Sequence, residues 1–168
     1  MPYDIEDTLT RLAEAVMEVL AIEVLRRVDP GEPYVVSQLF LRMHARFRDW
    51  DVGNEYDRVE DITKRLRHFN PATGKELEAD IIPDLIVHRM GVRDNLLVVE
   101  VKRHINHDTE RDVWKLRGMT AQQGEYRYAV GVHLILNVPA GVVVGCDVYT
   151  DGDIDAAWSA WLRARLPA

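Results

Sequence analysis

The chain has 168 residues, 47% of them hydrophobic and 29% charged, and a formal charge of −7. That length suits one domain, residues 1–168, able to bury a core without staples, and a lone Cys146 excludes an intramolecular disulfide and suits a reducing compartment. With no membrane-length apolar run or signal peptide, a cytoplasmic protein is expected, and the net acidity argues against strong unspecific binding to a polyanion.

In chain order, Ile5, Leu9, Leu12, Val16, Val19 and Leu20 recur at helical spacing. Acids at the start and Arg26-Arg27 at the end complement the helix dipole, so one long amphipathic helix is expected, stopped by Asp29-Pro30-Gly31. Residues 1–29 thus read as an N-terminal helical extension. A second helix should begin near Glu32-Pro33 and run through Phe40, Met43 and Phe47, with Arg42, His44, Arg46 and Arg48 along it. Trp50 to Arg58 alternates like a strand. Val59 to Ala79 is polar, gathers Lys64, Arg65, Arg67 and His68 before a turn-rich Asn70-Pro71-Ala72-Thr73-Gly74, and reads as a loop or short helix beside the next strand. Such basic residues can cradle a nucleic-acid backbone or simply form a solvated face.

Residues 80–103 hold two apolar strand-like runs joined by a polar turn. Side chains on a strand alternate faces, so Glu100 and Lys102 share one face and Val99 and Val101 the other. A hairpin centred near Val92 places Asp84 opposite Glu100. Two like charges inside an apolar sheet are costly unless a cation or a proton offsets them, and a hard divalent ion suits carboxylate oxygens.

Pro83-Asp84, fifteen intervening residues, then Glu100-Val101-Lys102 resembles the PD-(D/E)xK nuclease superfamily, the restriction-endonuclease-like fold. The resemblance implies that Asp84 and Glu100 hold Mg2+, for which Mn2+ can substitute, that the Val101 carbonyl adds a ligand, and that Lys102 assists the attacking water. A glutamate on the helix before the first core strand often completes such a site, which makes Glu32 the candidate and Glu55 its rival. Glu32 also has the ordinary role of an acid at a helix start. The expected substrate is nucleic acid, DNA before RNA, with a homodimer through either terminal helix in view. The competing readings are an inactive module of the same fold that binds nucleic acid or a protein partner, and an edge hairpin with a surface Glu100–Lys102 ion pair.

Beyond Lys102, Thr109 and Asp112 resemble a capping pair opening a helix from about Glu110 to Gln122, with Val113, Leu116 and Thr120 toward the sheet and Lys115 and Arg117 projecting elsewhere. His104 and His107 read as exposed loop residues rather than zinc ligands, and Gln122 and Tyr126 match a glutamine-tyrosine spacing known in one nuclease branch only weakly. Arg127–Asn137 and Gly141–Tyr149 read as two further strands, and Ile154, Trp158, Trp161 and Leu162 as the stripe of a last helix. The order supports an α/β fold, a mixed central sheet flanked by helices, with a restriction-endonuclease-like core and an added N-terminal helix.

Overall fold

A computed structural model of the chain describes residues 2–54, 64–70 and 75–168, and of 64–70 and 75–81 the backbone alone. It is an α/β protein with an open, mixed six-stranded sheet and flanking helices. Among the described residues no helix is long and apolar enough to cross a membrane.

The first apolar stripe forms α1 (Ile5–Leu20), whose N-cap Asp4 accepts from the Asp7 amide at 2.9 Å. The expected single helix divides here, because Ile22 is extended and α2 (Glu23–Val28) starts anew. At 100° per residue a straight helix would carry Leu25 about 180° away from Val16. The break turns Leu25 back into the core instead. Asp29, in the left-handed region at φ 49°, closes α2, and α3 (Glu32–Arg46) opens behind Gly31 as expected. Arg46 and Arg42 on α3 pair with Glu14 and Glu18 of α1, so these cations tie two helices together.

The strands are β1 (Asp51–Asn54), β4 (Leu85–Arg89), β5 (Asp94–Arg103), β6 (Val130–Asn137), β7 (Val142–Thr150) and β8 (Asp153–Ile154), in the spatial order β1-β4-β5-β6-β7-β8. Only β5 and β6 run parallel, joined through α4 (Glu110–Thr120). The polar stretch expected to be loop or helix instead forms β2 (Lys64–Asn70) and β3 (Lys75–Ile81), a separate antiparallel pair. Ladder hydrogen bonds satisfy a polar strand's backbone whatever its side chains, so apolar alternation was not needed there. Ile154, expected on the last helix, lies exposed in β8. That helix, α5 (Ala156–Arg163), begins at Asp155, whose carboxylate accepts from the Trp158 amide.

Alternation along β5 divides the core. Leu97, Val99 and Val101 join α1, α3 and α5 on one face, while Val98 packs with Leu116, Met119, Tyr128 and Tyr149 on the α4 face. Helix α4 sits so close to β6 that a methyl at Gly131 would meet Thr120 Cγ2 at 2.9 Å and Leu116 Cδ2 at 3.1 Å. Gly131→Ala is therefore expected to lower stability by about 1–3 kcal/mol in urea denaturation; an unchanged midpoint would mean that α4 can move outward freely.

Candidate metal and phosphate site

The hairpin of β4 and β5 pairs Leu85, Ile86 and Val87 with Val99, Val98 and Leu97, and Gly91 at φ 78° supplies the left-handed residue of its turn. Asp84 stands one step beyond this register, level with Glu100. A bulge between Val87 and His88 shifts the pairing of His88 out of step with that of Leu85.

β5 runs on past the start of β4, and the amides of Val101 and Arg103 then face an edge without a strand. Carboxylates take the strand's place. Asp84 Oδ2 accepts from the Val101 amide at 2.8 Å, and Glu32 Oε2, from the first turn of α3, accepts from the Arg103 amide at 3.1 Å. Both acids thus sit along one edge of β5, and the Val101 carbonyl points to that same edge because the N–H and C=O of a strand residue pair on one side. Arg103 is held in turn by Asp29 at 2.7 Å. A cleft of about 410 Å³ opens beside Glu32 and Arg103, lined also by Ile105, Asn106 and His107.

The α4 face of β5 carries the second half of the site. Glu100 is 1% exposed; its Oε2 accepts from Lys115 Nζ at 2.8 Å, and its Oε1 is buried with no hydrogen-bond partner among the described residues. Lys102 lies on the same face but reaches Asp112, with Nζ 3.1 Å from Oδ2. In place of the surface pair of Glu100 with Lys102 that the competing reading supposed, there are two largely buried pairs, Glu100 with Lys115 and Lys102 with Asp112. His133, level with Glu100 on β6, brings Nε2 to 3.4 Å from Asp112 Oδ2.

Two sequence expectations on α4 are corrected. Thr109 stands at the N-cap without a side-chain cap bond, and Asp112, expected as its partner, turns inward. Lys115, expected to project elsewhere, is buried against Glu100. The signal was present as the spacing of Asp112, Lys115, Leu116 and Met119, one helical stripe with two charges in it. His133, an imidazole in the middle of the mostly apolar β6, was a second signal.

The charges act on one another. Burial, with Asp112 and Glu32 adding, pushes the Asp84 carboxyl up to about 6 against the pull of the Val101 amide and Lys115. Burial and then Asp84 hold Glu100 well above the ordinary carboxylate range, more than Lys115 offsets. Burial also works against the Asp112 anion, but the contacts with His133 and Lys102 outweigh it and its pKa falls. For Lys102 burial disfavours the ammonium, while Asp112, Glu32 and Asp84 more than restore it. Asp84 and Glu100 are the two groups that still call for positive charge.

Other sequence candidates lie elsewhere. Gln122 donates to the carbonyls of Thr120 and Tyr128 and closes the end of α4. Glu55 falls outside the described residues, as do the side chains of Lys64, Arg65, Arg67 and His68. Among the described residues no three Asp, Glu, His or Cys side chains have the spacing of a ready-made metal centre. No family model, curated protein or solved structure matches the chain at a significant level.

Proposed function

We propose that the chain is a magnesium-dependent nuclease that hydrolyses phosphodiester bonds, with DNA as its substrate, built on a restriction-endonuclease-like core of the PD-(D/E)xK type. The observation that carries this reading is the pair Asp84 and Glu100, set level by the hairpin register, both driven toward the protonated form, with one Glu100 oxygen buried and without a partner among the described residues. A group that leaves a buried acceptor open and repels its neighbour is suited to a cation.

The residues fit a hard divalent ion. Magnesium keeps several waters and uses only one or two protein carboxylates with substrate phosphate, so Asp84, Glu100 and the Val101 carbonyl suffice as ligands. When bound, such an ion stabilises charge on the phosphate and makes water a better nucleophile. The chain supplies the rest. Asp112 fixes the Lys102 ammonium at the edge of the site, where it can bear on phosphate oxygens or orient a water. Glu32 holds the Arg103 amide, and its charge reaches both Asp84 and Lys102, which makes it a positioning acid beside the ligands. The cleft next to Glu32 leaves room for a phosphate backbone.

The test is cleavage of DNA with Mg2+, with Mn2+ and with chelator, for the native protein and for Asp84→Ala, Glu100→Ala and Lys102→Ala. Metal-dependent cleavage by the native protein and its loss in the variants is expected; equal activity in all four preparations would sink the assignment. The second reading, an inactive module of the same fold that binds nucleic acid or a protein partner, draws on Lys115, which already neutralises Glu100 in part. Calorimetry separates the two, since a site that takes neither Mg2+ nor Mn2+ at millimolar concentration favours the module.

A further inference from the structure

Among the described residues, Lys115 is the cation paired with Glu100 that the motif does not account for. Its ammonium lies 2.8 Å from Glu100 Oε2, 3.4 Å from the Ile82 carbonyl and 3.7 Å from Asp112 Oδ1. Two carboxylates and a carbonyl around one positive charge form the kind of oxygen cage that a hard metal ion also accepts. The side chain is 10% exposed and leaves a helix whose Leu116 and Met119 are wholly buried against the sheet, so it has little freedom to withdraw. A lysine ammonium is a compact point charge with three donors and no lone pair; it can balance Glu100 but cannot ligate.

We infer that Lys115 is the resident counter-ion of this site and competes with the divalent metal for the charge of Glu100, setting the metal concentration at which the site loads. The inference rests on the proposed metal reading and adds its regulation. A divalent ion on Glu100 Oε1 meets a positive charge already held by Oε2 of the same carboxylate, and like charges at such range oppose each other strongly where water is excluded. Lys102 does not have this effect to the same degree, because its charge is spent on Asp112, which His133 also flanks.

Calorimetric titration with Mg2+ alone and with Mn2+ alone tests this in the full chain. Lys115→Gln keeps a donor but loses the charge, and is expected to bind metal on the order of tenfold more tightly than the native protein. Lys115→Arg keeps the charge and is expected to stay near the native affinity, which also guards against a merely structural effect. Lys102→Gln is expected to shift affinity less than Lys115→Gln does. If the native protein binds metal and Glu100→Gln does not, the metal reading stands; unchanged or weaker binding by Lys115→Gln, or an equal gain in Lys102→Gln, then overturns the counter-ion role alone. If neither the native protein nor Lys115→Gln takes either metal, both fall together.

Discussion

Asp84→Asn is expected to abolish metal-dependent cleavage and, at the same time, to make the metal-free protein more stable at neutral pH. Asparagine keeps an oxygen that can accept from the Val101 amide, so the edge of β5 stays capped. What it removes is a negative charge beside Glu100. The activity loss should be on the order of 10³-fold, because a ligating carboxylate helps place an ion worth several kcal/mol to the transition state. The stability gain follows from linkage. The folded protein holds the Asp84 proton up to about pH 6, whereas the unfolded chain releases it near 3.8. Between those values the folded state binds more protons, so this group's contribution to stability falls as pH rises, and above about pH 6 the full penalty is present. A shift of that size corresponds to about 3 kcal/mol at most, and solvent at a half-buried carboxyl reduces it to roughly 1–2 kcal/mol. Urea denaturation with chelator should show the two proteins converging near pH 4 and Asp84→Asn the more stable at pH 8. A variant less stable than the native protein at pH 8 would mean that the carboxylate is needed by the fold and not held ready for a cation.

The same residues explain what could be read from the sequence and what could not. The pairing of Asp84 with Glu100 was legible because strand pleat and a short turn leave one register that buries the Leu and Val side chains. The position of Glu32 at the start of α3 was legible from Pro33 behind Gly31. Its contact with the Arg103 amide was not, since that depends on where β4 starts and leaves the end of β5 uncovered. Lys115 and Asp112 were hidden for a different reason. The face expected from Val113, Leu116 and Thr120 does pack on the sheet, but the buried surface is wider and takes in Asp112, Lys115 and Met119 as well. Charges are normally assigned to solvent, and partners on the strands beneath α4, Glu100, Lys102 and His133, make their burial tolerable. The pair β2 and β3 escaped because its composition carries no apolar run to mark a strand.

Leu12→Ala is expected to be strongly damaging, lowering stability by about 3 kcal/mol. Residues 1–29 read from the sequence as an extension to a core that begins later. In the fold, Leu9, Leu12 and Ala15 are 0% exposed and belong to the same cluster as Val99, Val101 and Leu134 of the central strands. Helix α1 packs on α3, and α3 positions Glu32 at its first turn; Val101, whose amide Asp84 caps, lies in the cluster that α1 covers. A cavity beneath α1 removes packing contacts from that face, and close-packed interiors relax only partly to fill such a void. For a chain of this size the loss corresponds to a fall in Tm of about 6–12 °C, measurable by calorimetric or spectroscopic melting. Because the strain reaches α3, cleavage by Leu12→Ala should fall at temperatures well below the new Tm, while the exposed Met17→Ala on the same helix should leave both Tm and cleavage near native values. A Tm for Leu12→Ala within about 1 °C of the native protein would show α1 to be peripheral to the core, and the site's support would then have to come from α3 and the sheet alone.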